Sequence, residues 1–156
     1  MTITTNLHEG QYIDAAGVHT HYHDVGDGVP VVLLHGSGPG VSAWANWQHA
    51  IGPLAENARV LALDLVGFGA TERPADVRYS LRTWTDHVWG FLDALGIEKA
   101  SVIGNSLGGR IACQMAEDNA ARLDRLVLMG APGVGMELTD GLKALRAYEP
   151  SPAAMR

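Results

Sequence analysis

The chain contains one cysteine, Cys113, in 156 residues. An internal disulfide is therefore excluded, and a small packing residue in a reducing cytoplasm is the expectation. Basic residues are outnumbered, with 11 Lys and Arg against 17 Asp and Glu and a formal net charge of −6. With no basic run either, nucleic acid is not an expected partner. No apolar stretch approaches the ~20 residues of a membrane-spanning helix, so no membrane partner is expected. The opening segment, with Ile3 and Leu7 among polar residues, has neither a basic start nor an apolar core, so no signal peptide is expected. Histidine is absent after His87, although seven occur up to that point.

What is present is ordinary for a globular domain: 47% hydrophobic and 18% charged residues. A chain of this size reads as one domain able to bury roughly two-thirds of its unfolded surface. Two strands, residues 11–15 and 18–25, are joined by a tight turn at Ala16-Gly17. Val31-Val32-Leu33-Leu34 is a continuous apolar run of the kind buried in a parallel sheet. A helix is expected from about residue 43 to 56, a strand over 59–63 and a long loop over 64–74. A second helix spans 81–95, stopped by Gly96, and a last buried strand spans 123–129. After Gly130 the character changes to a hinge-like stretch, then a helix over 139–148. Strands alternating with helices of this length imply parallel βαβ crossovers.

The chemistry centres on Gly104-Asn105-Ser106-Leu107-Gly108. A short apolar strand, 100–103, precedes it, and a helix over 109–119 follows, with Ile111, Met115 and Ala116 on one face. A strand that turns at once into a helix strains the residue at its apex. Glycines two positions to either side remove Cβ atoms that would collide as the two elements close. The serine hydroxyl is then held clear of the sheet, the geometry of a nucleophile elbow.

A second feature, His35-Gly36-Ser37-Gly38-Pro39-Gly40, follows the 31–34 strand directly. Loops leaving the carboxyl ends of neighbouring parallel strands gather at one edge, where ligands bind. This loop should face the elbow and bring backbone N–H groups to a developing oxyanion, joined by the N-terminus of the helix that begins at Leu107. A phosphate-binding loop is the rival reading, but no Gly-Lys-Ser/Thr follows.

These motifs, with Asp64-Leu-Val-Gly-Phe-Gly69, resemble the α/β-hydrolase fold. The extended forms, from His35 through Asn46-Trp47, Gly104-Asn105-Ser106, and Leu128-Met-Gly-Ala-Pro-Gly133, resemble the meta-cleavage product hydrolases. Members of that family hydrolyse a C–C bond in ring-fission products of aromatic catabolism such as 2-hydroxy-6-oxo-hexa-2,4-dienoates. The resemblance implies an α/β fold, a mostly parallel sheet with flanking helices. It places the N-terminal part of the core at residues 1–133 and the start of a helical lid at 134–156.

It also implies roles. Ser106 would be the nucleophile. The backbone N–H groups of Ser37 and Leu107 would form the oxyanion hole, with Gly36 and Gly38 shaping its wall. Asn46 and Asn105 would bind the carboxylate and 2-oxo or 2-hydroxy end of a dienoic acid, since an amide donates without carrying charge. Ketonisation of the dienol would come first, then addition to the C6 carbonyl and cleavage, with no metal or organic cofactor required. A cytoplasmic location and a small-molecule substrate follow, and homo-oligomerisation is left open.

Serine needs a general base and an acid to orient it. In α/β hydrolases both follow the serine, in the order Ser, Asp or Glu, His. Acidic residues follow Ser106 here, but no histidine does, which leads to the expectation of an incomplete chain, silent on its own, with the 123–129 strand left as an apolar edge. His35 is beside the elbow, where the family's histidine supports the loop. His19, His21 and His23 share one strand face, expected to be half exposed rather than a metal site. His49 and His87 are expected on helix surfaces. Asp64 ends a strand and reads as structural, since the elbow carries serine. The four tryptophans read as packing residues, with Trp44 and Trp47 candidates to line the pocket. Two other function classes stand beside the C–C hydrolase: a serine esterase on the same fold, and a non-catalytic binding module that keeps only the elbow.

Overall fold

The structure is a computed structural model that describes residues 9–131 and Asp140. The expected lid start, 134–156, and the 139–148 helix therefore lie outside the described residues, Asp140 apart. Six strands form one sheet: β1 (Gln11–Ala15), β2 (Val18–Val25), β3 (Pro30–Leu34), β4 (Arg59–Leu63), β5 (Ala100–Asn105) and β6 (Leu123–Met129). Their spatial order is β1-β2-β4-β3-β5-β6. The first two form an antiparallel hairpin and β2 pairs antiparallel with β4, whereas β4, β3, β5 and β6 run parallel. Three helices, α1 (Ala43–Ala55), α2 (Leu81–Ala94) and α3 (Leu107–Asn119), make the crossovers.

The central strands are buried on both faces, and their alternation divides the core in two. Val32 and Leu34 of β3 join Leu61 and Leu63 of β4 on one side, under α2 and α3 with Phe91, Ile111 and Met115. Leu33, Val60 and Ala62 face the other way onto α1, against Trp47 and Ile51. Burying each of these leucines is worth roughly 2 kcal/mol. That two-sided burial is why the 31–34 run is continuously apolar rather than alternating.

Two expectations need correction. His21 and His23 are buried, not half exposed, because β2 is an interior strand and the ring of His23 lies 5.3 Å from that of Trp44. His87 is also buried: it stands one turn from both Trp84 and Phe91, on the face that α2 turns to the sheet. The 123–129 strand is an apolar edge as expected: β6 is the outermost strand, and Val127, Leu128 and Met129 are each exposed by nearly half (48, 45 and 47%).

Candidate active site

The β5–α3 joint has the geometry that the glycine spacing predicts. Ser106 has φ 52° and ψ −112°, and apart from Ala16 it is the one non-glycine residue with positive φ among the described residues. Such a conformation costs on the order of 1–3 kcal/mol and persists only where its surroundings impose it. Here the Ser106 N–H donates to the Met129 carbonyl at 2.8 Å, and the Arg110 N–H donates to the Ser106 carbonyl at 3.1 Å. A Cβ on Gly104 would overlap the Gly108 carbonyl, and one on Gly108 would overlap the Leu34 carbonyl. Strand, turn and helix thus pack backbone to backbone. The Ser106 side chain makes no capping bond to α3.

The loop after β3 meets this elbow. A methyl group on Gly36 would sit 3.4 Å from the Ser106 Cβ and 3.5 Å from the Asn105 Nδ2. The loop is anchored by His35, which is wholly buried. Its Nδ1–H donates to the Gly36 carbonyl at 2.6 Å, and its Nε2 accepts the Leu65 N–H at 3.0 Å. Burial pushes its pKa down, with the Gly36 carbonyl opposing. Both nitrogens of neutral His35 are committed to backbone, so it holds the loop and has no lone pair to offer Ser106.

Asn46, on the second turn of α1, joins the loop to the elbow. Its Oδ1 accepts the Gly36 N–H at 3.0 Å and the Asn105 Nδ2–H at 3.0 Å. Two donors fill that oxygen and fix the amide's orientation, and neither bond uses Asn46 Nδ2 or Asn105 Oδ1. Gly36 thus commits its N–H to Asn46. Leu107 is the first residue of α3, whose leading N–H groups have no intrahelical acceptor. Ser37 follows Gly36 on the exposed part of the loop, next to Gly38. A cleft of about 370 Å³ opens between this loop, at Gly38 and Val41, and the turn at Gly67 and Phe68.

Two histidine pairings escaped the sequence reading. His87 Nε2–H donates to Thr20 Oγ1 at 2.8 Å, and its Nδ1 accepts the Val66 N–H at 3.2 Å. Burial lowers its pKa to about 4. The His21 Nδ1–H lies 2.9 Å from the Asp64 carboxylate. That bond raises the His21 pKa against the effect of burial. Burial pulls Asp64 upward, but its bonds from His21, Ala43 and Ala70 outweigh this and hold it below the usual carboxylate range. The spacing of His87 from Trp84 and Phe91 was a usable signal for its burial. No such signal pairs His21 with Asp64, which are 43 residues apart. Among the described residues, no group of three or more His, Cys, Asp or Glu is placed to hold a metal ion, and no helix is long and apolar enough to cross a membrane.

A strained serine at a strand-to-helix turn, faced by a glycine loop from the adjacent parallel strand, defines a class. A family model described as alpha/beta hydrolase fold matches residues 29–151, and the chain belongs to that family. Within it, the chain is 52% identical over 147 residues to the 2-hydroxymuconate semialdehyde hydrolase of Pseudomonas sp. strain CF600, covering 94% of this chain and 52% of that protein. It is 50% identical to the 2-hydroxy-6-oxo-2,4-heptadienoate hydrolase of Pseudomonas putida F1, covering 97% and 55%. The solved meta-cleavage product hydrolase of Pseudomonas fluorescens IP01 superposes with a TM-score of 0.85 at 54% identity, over 91% of this chain and 52% of that one. The chain thus spans about half the length of the curated relatives it matches.

Proposed function

We propose that this chain is the nucleophile-bearing part of a serine hydrolase that cleaves a C–C bond in 2-hydroxy-6-oxo-dienoates, the meta-ring-fission products of aromatic catabolism. The observation that carries the reading is the Asn46 amide, bonded to both Gly36 and Asn105 beside Ser106. An esterase needs the elbow and the oxyanion donors. It has no evident use for two asparagine side chains locked together there.

In this reading Ser106 Oγ attacks the C6 carbonyl, and the oxyanion is met by the N–H groups of Ser37 and Leu107, each worth about 10²–10³ in rate. Asn46 Nδ2 donates to the substrate carboxylate or 2-oxo group, with Asn105 beside it. That end draws the electrons of the breaking C–C bond into the conjugated acid. The dienol first ketonises, its hydroxyl proton passing to C5; cleavage of the C5–C6 bond then leaves the acyl group on Ser106, and water hydrolyses that ester to release a carboxylic acid beside the 2-hydroxypenta-2,4-dienoate. The proton on Ser106 needs a base, and His35 is committed elsewhere. The core is assigned to 1–133 and the beginning of a lid to 134–156, with cytoplasmic location as expected for such a catabolic enzyme.

The test is a fusion of this chain to the second half of the strain CF600 relative, assayed on 2-hydroxymuconic semialdehyde and on a p-nitrophenyl ester. Faster kcat/KM on the dienol substrate supports the reading. A fusion that hydrolyses the ester and leaves the dienol untouched establishes the esterase instead. One that folds and turns over neither substrate favours the binding module.

A further inference from the structure

Asp64 stands just past the end of β4 and touches none of the groups assigned to the reaction, yet three other segments meet at its side chain and carbonyl. Its Oδ2 accepts from His21 Nδ1 of β2 at 2.9 Å and from the Ala70 N–H at 2.8 Å. Its Oδ1 accepts the N–H of Ala43, the first residue of α1, at 2.5 Å. Its carbonyl accepts Thr71 Oγ1–H at 2.7 Å, and that oxygen accepts the His21 N–H at 2.9 Å. Gly69 presses against the carboxylate so closely that any Cβ there would collide with it. The group is buried at 1% exposure.

We propose that Asp64 is a positioning residue for the amide pair: it pins the first turn of α1 to the sheet so that Asn46 reaches both Gly36 and Asn105. This rests on reading that pair as the substrate-carboxylate end of the site. Two acceptors serve the start of α1, and they differ in kind. Ser42 Oγ accepts the Ala45 N–H at 3.0 Å, but Ser42 is the helix's own N-cap and travels with it. Asp64 directly follows β4 and its N–H donates to the His21 carbonyl of β2 at 2.9 Å, so its bond to Ala43 ties the helix to the same sheet that carries the elbow. Asn46 is one turn beyond Ala43, on the same side of the helix.

The tolerance is narrow. Bonds of 3.0 Å from Asn46 Oδ1 are lost beyond about 3.5 Å, so a shift of α1 by roughly 1 Å undoes both. A carboxylate also matches its surroundings as no amide can: three donors converge on it, and an asparagine would turn its NH2 against one of them.

The experiment compares the 156-residue chain with Asp64→Asn and Ser42→Ala, each labelled with ¹⁵N. It follows the side-chain NH2 signals of Asn46 and Asn105 and the hydrogen exchange of the Gly36 amide. In Asp64→Asn both NH2 signals should move and Gly36 exchange should quicken at least about tenfold. Ser42→Ala, which loosens the same helix end without touching the sheet, should leave these signals in place. A folded Asp64→Asn with unchanged signals overturns the proposal, as does an equal change in Ser42→Ala. If Asp64→Asn does not fold, lactate in place of Ala43 removes the donating N–H and weakens the Ser42 carbonyl, which accepts the Asn46 N–H; lactate in place of Ala45 puts the same ester in that turn without touching Asp64, and only the first should move the signals. None of these readouts involves substrate, so a failure of the C–C hydrolase reading would leave them standing.

Discussion

The Asn105 side chain donates to the Asn46 Oδ1 at 3.0 Å, across 59 residues of sequence. One residue ends the serine strand, and the other sits on the helix after the glycine loop. Their bond therefore closes the site between the two motifs. Replacing Asn46 separates its structural bonds from the substrate contact proposed for it. Asn46→Ala strands the Gly36 N–H and the Asn105 amide and should cost about 1–3 kcal/mol in urea unfolding. Asn46→Asp keeps the acceptor but places a negative charge where Nδ2 stood. It should unfold within about 1 kcal/mol of the parent, while the fused enzyme's KM for a dienoic acid rises about tenfold or more. Equal KM values for the parent and Asn46→Asp would remove Asn46 from substrate recognition.

The glycines around the serine should rank by what a methyl group meets. Gly104→Ala and Gly108→Ala drive a Cβ into backbone carbonyls and should cost at least about 2 kcal/mol each, or prevent folding. Nothing lies within 4 Å of a Cβ on Gly38, whose φ is not positive, so Gly38→Ala should stay within about 0.5 kcal/mol. Chemical denaturation of the three variants gives the ranking, and a Gly38→Ala as damaging as Gly104→Ala would refute it.

Two buried histidines should give stability opposite dependences on pH. His21 has a raised pKa, so its contribution is complete below its unfolded value near 6.5 and fades as pH rises through the folded value. The partner Asp64, with a lowered pKa, contributes above about 3.8 and loses that as pH falls through its folded value. The pair is therefore strongest between about pH 4 and 6.5. His87, lowered to about 4, works the other way, and its burial removes up to about 3 kcal/mol of stability as pH falls from 6.5 to 4. Urea unfolding of His21→Gln should show a larger loss at pH 5.5 than at pH 8. His87→Gln should show a smaller loss at pH 5.5 than at pH 8. The same trend in both variants would contradict these assignments.

Much of this fold was readable because its strands are buried on both faces and so are written as short apolar runs. The 31–34 run became β3 with Pro30 added, and 123–129 became β6 unchanged. The elbow was legible for a different reason: only glycine satisfies the backbone contacts at 104 and 108, so the constraint shows directly in the sequence. The serine strand reaches further toward Ser106 than its apolar run suggested, since strand and helix there leave no intervening loop. Burial of His21 and His23 was hidden because it depends on β2 pairing with β4, a non-local contact that alternation along one strand does not encode. Asp64 was recognised as structural, but the helix end it holds came only from the fold.

The most direct measurement is the rate at which the yellow 2-hydroxymuconic semialdehyde fades with the fused enzyme and with its Ser106→Ala variant, both shown to be folded. With Ser106 as nucleophile, the variant should lose at least about 10³-fold in kcat. A variant that retains cleavage within about tenfold of the parent would contradict the assignment of Ser106, and with it the proposed chemistry of the site.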